Sequence, residues 1–146
     1  MRDLTGADQI VMAVRRIIDH FAPKAWFIEN PHSLLHSRPI MKDIAHLRAT
    51  CTYCQYGAEY KKETDIWTNV QVSLRHCNDT PCAHFRAYGR HARTAQAGPS
   101  GMRSGAPGTP REEAYRVPQP LMRQLMKAAL QACGYDVLEE DGRRRM

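Results

Sequence analysis

The chain has 146 residues, a formal net charge of +6 and 42% apolar residues, enough for one domain, or part of one, with a modest core. No apolar run reaches the length of a membrane span and no secretory signal opens the sequence, so membrane-spanning and exported classes are set aside and a cytoplasmic location is expected. The basic balance, with a pI near 9.3, favours a polyanionic partner, with nucleic acid the first expectation and a merely soluble basic protein the alternative. Five cysteines beside seven histidines, without an export signal, point to metal binding or buried thiols rather than a disulfide framework.

In chain order, residues 5–21 predict an amphipathic helix, because Ile10, Val14, Ile17, Ile18 and Phe21 recur at helical spacing. Thr5 with Asp8 three positions on approximates a capping box, and Pro23 stops the helix. Next, Trp26, Phe27 and Ile28 run into Glu29, Asn30 and Pro31. The apolar run predicts a buried strand over 25–28. Proline cannot donate to a ladder and biases Asn30 towards an extended conformation, so the strand is expected to stop there. Glu29 is thereby expected at the carboxyl end of a central strand, the edge where open α/β sheets bind ligands; the alternative is an acid that simply meets water. Pro39 breaks any long helix over 32–47, leaving a turn or two within 40–47. Residues 49–53 and 65–72 predict two further strands, pairing antiparallel around a loop that carries Gly57, Lys61 and Lys62. Helix, short loop and buried strand is the grammar of an α/β layer.

From Arg75 to Pro110 the periodicity dissolves. Cys77, Cys82, His84 and His91 lie there among Arg75, Arg86, Arg90 and Arg93. Together with Cys51-x-x-Cys54 they are spaced as a candidate zinc site, and a bound metal would hold a segment that has few apolar anchors. If the strand continues through Cys54, Cys51 and Cys54 face opposite sides of the sheet and one of them points into the core. Residues 97–110 are rich in Gly, Pro and Ser and predict a mobile loop. Residues 118–133 predict the second helix, with Leu121, Leu125, Ala128, Ala129 and Ala132 on one face and Gly134 ending it. Cys133 reads as core, and the basic run Arg143 to Arg145 as a disordered tail. His20, His32, His36, His46 and His76 read as surface or loop residues, with His32 and His36 flanking the Glu29 loop.

Several of these stretches resemble a known family, in the right order. Phe27-Ile28-Glu29-Asn30-Pro31 resembles the Glu-Asn motif of DNA cytosine-5 methyltransferases. The run from Tyr56-Gly57 to Ile66-Trp67 matches the spacing of that family's Tyr-Gly-x-x-Gln-x-Arg-x-Arg motif, with Tyr60 in place of the Gln. It is similar to phage-type members, as are His91 to Ser100 and Tyr115-Arg116-Val117-Pro118 leading into a helix. The fold that the resemblance implies is α/β: a partial Rossmann-like methyltransferase domain with a mixed sheet and a cysteine/histidine-rich insertion. Residues 1–74 would be the C-terminal half of the catalytic domain, 75–110 a Cys/His-rich and Gly/Pro-rich region, and 111–146 a returning helix with a basic tail.

In that family the target cytosine is flipped out of the duplex, a cysteine thiolate attacks ring carbon 6, and carbon 5 takes the methyl group of S-adenosylmethionine. The resemblance gives Glu29 the task of assisting at N3 of the base, and Asn30 that of shaping the turn that aims it. It assigns DNA contacts to Lys61, Lys62, Thr64, Arg90, His91 and Arg93, although Thr64 cannot make the charged contact of the arginine it replaces. It also names Cys54, Cys77, Cys82 and His91 as zinc ligands, with Cys51 and His84 in reserve.

The glycine-rich donor loop and the Pro-Cys nucleophile that precede this region in the family are not matched. The stretch from Gly98 to Gly108 follows no strand, and Pro81-Cys82 falls in the wrong order. The expectation is therefore a component that is inactive alone. S-adenosylmethionine would be bound mainly by another segment, a complementary chain or a further copy. A non-catalytic, zinc-stabilised nucleic-acid-binding module and a folded but inert remnant are the alternatives.

Overall fold

The computed structural model describes residues 5–78, 80–95 and 106–137. Of the loop predicted over 97–110, residues up to 105 lie outside the described residues, as does the tail from Arg143; its end is not mobile but held, with Ala106 and Thr109 buried and the Thr94 N–H bonded to the Pro107 carbonyl at 3.0 Å. Helix α1 spans Thr5–Phe21 and is followed by strand β1, Phe27–Pro31. Short 3-10 turns at Leu34–Ser37, Pro39–Met41 and Ala45–Leu47 lead to β2, Arg48–Thr52. A further 3-10 turn, Tyr53–Tyr56, precedes β3, Tyr60–Lys61, and β4, Glu63–Thr68. Beyond them come α2, Ala83–Tyr88, β5, Arg93–Thr94, α3, Arg111–Tyr115, and α4, Gln119–Ala132. The architecture is mixed α/β, with one small three-stranded sheet. Among the described residues no helix is long and apolar enough to cross a membrane.

The sheet order is β1-β4-β2, and β4 is antiparallel to both neighbours. Strands β1 and β2 therefore run in the same direction, with β4 reversed between them. The expected β2–β4 pairing is present, with Thr50 opposite Asp65 and Cys51 opposite Thr64. The middle of the sheet is β4, not the strand bearing Glu29: β1 lies at an edge and runs on through Pro31. A proline is tolerated at the end of an edge strand because its missing N–H faces no partner. The next residue, His32, donates its backbone N–H to the Glu63 carbonyl at 2.9 Å and extends the pairing by one step. Glu29 thus sits mid-strand, opposite Ile66.

Alternation divides the sheet into two faces. On one, Cys51 and Ile66 pack with Tyr53, Tyr56, Tyr60, Leu121 and Leu125 in the main core, and Phe27 lies against them. On the other, Asp65 and Trp67 of β4 are wholly buried. This two-sided burial is why β4 reads as a continuous run of strand formers rather than as an alternating one.

Helix α4 buries Leu121 and Leu125, as its spacing predicts, and closes at Gly134 with φ of 84°. Helix α1 spans the predicted residues, but none of them is buried; Ile10, Ile17 and Phe21 are 68%, 57% and 71% exposed. It is tied down instead by ion pairs on another face, Asp8 with Arg38 and Arg15 with Asp43.

Candidate functional site

Strand β2 ends at Thr52, and the 3-10 turn that follows reorients the chain. Cys51 stays in the main core, whereas Cys54 joins a separate buried cluster with Cys77 and Cys82. The loop bearing Cys77 is fixed to β2 by two bonds: the Thr52 N–H donates to the Arg75 carbonyl at 3.2 Å, and the Cys77 N–H donates to the Thr52 hydroxyl at 2.9 Å. Cys82 stands just before the first turn of α2 and donates its N–H to the Cys77 sulfur at 3.4 Å. After α2 the chain turns at Gly89, φ 68°, and presents His91, whose Nε2 lies 3.6 Å from the Cys77 sulfur.

The four ligand atoms of Cys54, Cys77, Cys82 and His91 all lie within 4.8 Å of one another. A tetrahedral zinc with bonds of about 2.3 Å to sulfur sets its ligands ~3.8 Å apart, so this Cys3His group can bind a metal such as zinc with little rearrangement. Burial lowers the His91 pKa, with Lys61 and His84 adding to the effect, which favours the neutral imidazole that coordinates metals. Burial pushes the Cys54 thiol up to about 12, and the adjacent Cys77 and Cys82 add to it; thiolates here call for a cation. Cys51 and His84 remain apart from the group. The His84 ring meets Tyr88 at 4.7 Å and the Arg90 carbonyl at 2.9 Å.

Glu29 points from β1 onto the face that carries Cys51 and Ile66. It is exposed, and Tyr53, itself wholly buried, donates its hydroxyl to the Glu29 carboxylate at 3.1 Å. The Lys62 ammonium lies 4.7 Å over the Tyr53 ring and donates to the Ala114 carbonyl at 2.8 Å. Burial lowers the Lys62 pKa, while the Glu29 charge opposes that shift. Among the described residues Glu29 forms no ion pair. Asn30 donates its side-chain amide to the Pro31 carbonyl at 2.6 Å and to the Ser33 hydroxyl at 3.2 Å, fixing the turn out of the strand.

The other predicted DNA contacts fall in different settings. Lys61 pairs with Glu63 at 3.0 Å and donates to Asn78 at 2.7 Å. Lys61 and Lys62 line a cavity of about 540 Å³ together with His32, Arg111 and Tyr115. Arg90 is exposed and lines a second cavity of about 360 Å³ with Lys61, His91 and Arg93. Arg93 is held by Glu113 at 2.9 Å and Glu59 at 3.6 Å. Thr64 is wholly buried on β4 and its hydroxyl has no contact with solvent.

His32 and His36 turn to Asp65, on the sheet face opposite Glu29. A strand aspartate has no distinctive neighbours in sequence, so Asp65 carries no local signal; the His-x3-His spacing after β1 does.

No family model, no curated protein and no solved structure matches this chain.

Proposed function

We propose that this chain is a component of a DNA cytosine-5 methyltransferase, supplying Glu29 and DNA contacts to an active site whose donor-binding loop and nucleophile lie elsewhere. The reading rests on Glu29: an exposed carboxylate without an ion-pair partner among the described residues, held by the buried Tyr53 hydroxyl at 3.1 Å on a strand edge beside Lys62. Folding does not require an acid there, and a buried tyrosine that positions an exposed acid is an arrangement suited to a group that must meet a ligand. The fold is read as the end of a Rossmann-like sheet. Parallel β1 and β2 with β4 reversed between them form the mixed arrangement that often finishes such a sheet. Among the described residues the outer edge of β1 is unpaired, so further parallel strands have a place to join.

In this reading S-adenosylmethionine, bound mainly by the other segment or chain, supplies the methyl group. This chain's own residues hold Glu29 at N3 of the extruded cytosine, where the carboxyl group, in its protonated form, donates its proton to N3 and so withdraws charge from the ring as the thiolate adds. Lys61, Lys62 and Arg90 offer positive charge to the neighbouring phosphates. Zinc in the Cys3His group fixes residues 75–95 beside them.

The test is reconstitution with a chain carrying a glycine-rich donor loop and a Pro-Cys motif, followed by transfer of a labelled methyl group to duplex DNA. The pure chain is expected to be inactive and the pair active. Glu29→Gln is expected to cripple transfer while DNA binding persists; unchanged transfer removes Glu29 from the chemistry. The Cys3His group beside the cavity that the exposed Arg90 lines favours a second reading, a zinc-stabilised nucleic-acid-binding module without catalysis. That reading is chosen if DNA binding is zinc-dependent and no complementary chain restores transfer.

A further inference from the structure

We infer that His32, His36 and Asp65 form a second metal site, of the two-histidine, one-carboxylate type, independent of the Cys3His group and of the role given to Glu29. The ligand atoms of the three residues lie within 4.8 Å of one another. His32 follows β1 directly, and His36 comes one turn later in the 3-10 segment Leu34–Ser37, so the two rings stack with centroids 5.0 Å apart and planes 8° from parallel. Both present Nδ1 to the same carboxylate: His32 lies 3.0 Å from each Asp65 oxygen, and His36 lies 4.0 Å from Oδ2.

The detail that favours a metal over a plain histidine–aspartate pair is His36. Its Nδ1 is buried and has no hydrogen-bond partner, although it faces an acceptor. At 4.0 Å the carboxylate is too far for a hydrogen bond; bonds of about 2.0–2.2 Å to one tetrahedral ion would set the two ligand atoms ~3.3–3.6 Å apart, so the pair must close by about half an ångström to share it. Asp65 is itself wholly buried and oriented by the Thr50 hydroxyl, which donates to Oδ1 at 2.7 Å. A carboxylate fixed in this way by a neighbouring donor is what outer-shell support of a ligand looks like.

The chemistry of the donor set selects the ion. Two imidazoles and a carboxylate suit a divalent first-row transition metal such as zinc, cobalt, nickel or iron(II), and suit calcium or magnesium poorly. Arg48, 3.8 Å from Oδ2, is a competing cation, so this site is expected to bind more weakly than the thiolate site. The two histidine side chains remain 37% and 35% exposed, which leaves coordination positions open to water or to an anionic ligand. His32 also lines the 540 Å³ cavity with Lys61, Lys62 and Arg111.

Cobalt(II) titration of the metal-free full chain tests the assignment, because the two sites differ in colour. Thiolate ligation gives charge-transfer absorption, whereas nitrogen and oxygen ligation gives only ligand-field bands. The expected result is two ions per chain, the first with charge transfer and the second without. His36→Ala is expected to lose the second ion and keep the first, with an unchanged circular dichroism spectrum; Cys77→Ser is expected to do the reverse. Paramagnetic broadening of the His32 and His36 ring protons in the wild-type chain reads the same site without a variant. A single, thiolate-bound ion in the wild type, or a second ion that persists in His36→Ala and leaves those protons sharp, overturns the inference.

Discussion

Tyr53 and Glu29 are joined by one hydrogen bond of 3.1 Å, between a wholly buried ring and an exposed carboxylate. The tyrosine stands in the turn after β2 and the glutamate in β1, so the bond spans the intervening β4. Burial raises the Tyr53 pKa, and the Glu29 charge raises it further; the phenol therefore stays protonated and donates throughout the neutral range. Tyr53→Phe removes the donor while keeping the ring. It is expected to cost roughly 0.5–1.5 kcal/mol in urea unfolding. Glu29→Gln keeps an acceptor oxygen and is expected to change stability by less than about 0.5 kcal/mol. In a reconstituted enzyme the same Gln variant is expected to lower methyl transfer by about 10²–10⁴-fold, the usual range for losing a positioned acid or base.

Zinc removal has a local signature. The segment from Cys77 to His91 contributes few side chains to the main core, whose buried members are Cys51, Tyr53, Tyr56, Tyr60, Ile66, Leu121 and Leu125. Elemental analysis is expected to find about one tightly held zinc per chain in the Cys3His group. Chelation, or Cys82→Ser, is expected to speed amide exchange and proteolysis across residues 75–95 while β1, β2 and β4 keep their protection. Coordination requires thiolates, and burial with neighbouring thiols raises the Cys54 pKa to about 12, so binding must release protons and apparent zinc affinity should rise with pH. Uniform loss of protection across the sheet would instead make the metal part of the global fold.

How legible these features were depended on whether the signal was local. Helices α1 and α4 showed in the sequence because period 3.6 is a property of a short window. The antiparallel pairing of β2 with β4 showed because a turn lies between them. That β4 and not β1 is central did not show, since β1 crosses a long connection before it pairs. The extension of β1 through Pro31 was also hidden: proline is excluded from a strand interior but accepted at an edge, and edge status is a tertiary fact. Cysteine spacing marks Cys51, Cys54, Cys77 and Cys82 alike, and only the 3-10 turn after Thr52 separates Cys54 from Cys51. The His32, His36 and Asp65 grouping needs the register Thr50 opposite Asp65 opposite Asn30, which no sequence window contains.

The alkaline limb of stability should report Cys51. Burial pushes its thiol up from 9.0 to about 12, and the Glu29 and Asp65 carboxylates add to the effect. The folded pKa is raised, so the folded chain holds the proton while the unfolded chain loses it. Stability is then fully present below about pH 9 and falls as pH climbs towards 12. Cys51→Ala removes this group from the titration. It is expected to destabilise the chain at neutral pH by about 1–2 kcal/mol through the cavity left behind. It should also reduce the alkaline slope by about one proton in unfolding experiments repeated across pH 8–11. An unchanged slope would place the alkaline sensitivity in Tyr53 or Cys54 alone.

Helix α1 makes the last prediction, because its apolar residues face the wrong way for a finished surface. Ile10, Ile17 and Phe21 are more than half exposed, and the helix is held to the rest of the chain through Arg15 with Asp43 and Asp8 with Arg38. A row of large exposed side chains on one helix favours association, and among the described residues the outer edge of β1, nearby in sequence, has no strand partner. Sedimentation is expected to show concentration-dependent self-association of the isolated chain. The double variant Ile17→Glu, Phe21→Lys is expected to shift the distribution to monomer while altering stability by no more than about 0.5 kcal/mol, as surface substitutions do. The contrasting control is Arg15→Ala, which breaks the pairing with Asp43 and should loosen α1 from the domain without abolishing association. If the double variant unfolds the chain instead, the row contributes to this chain's own stability and is not a contact surface.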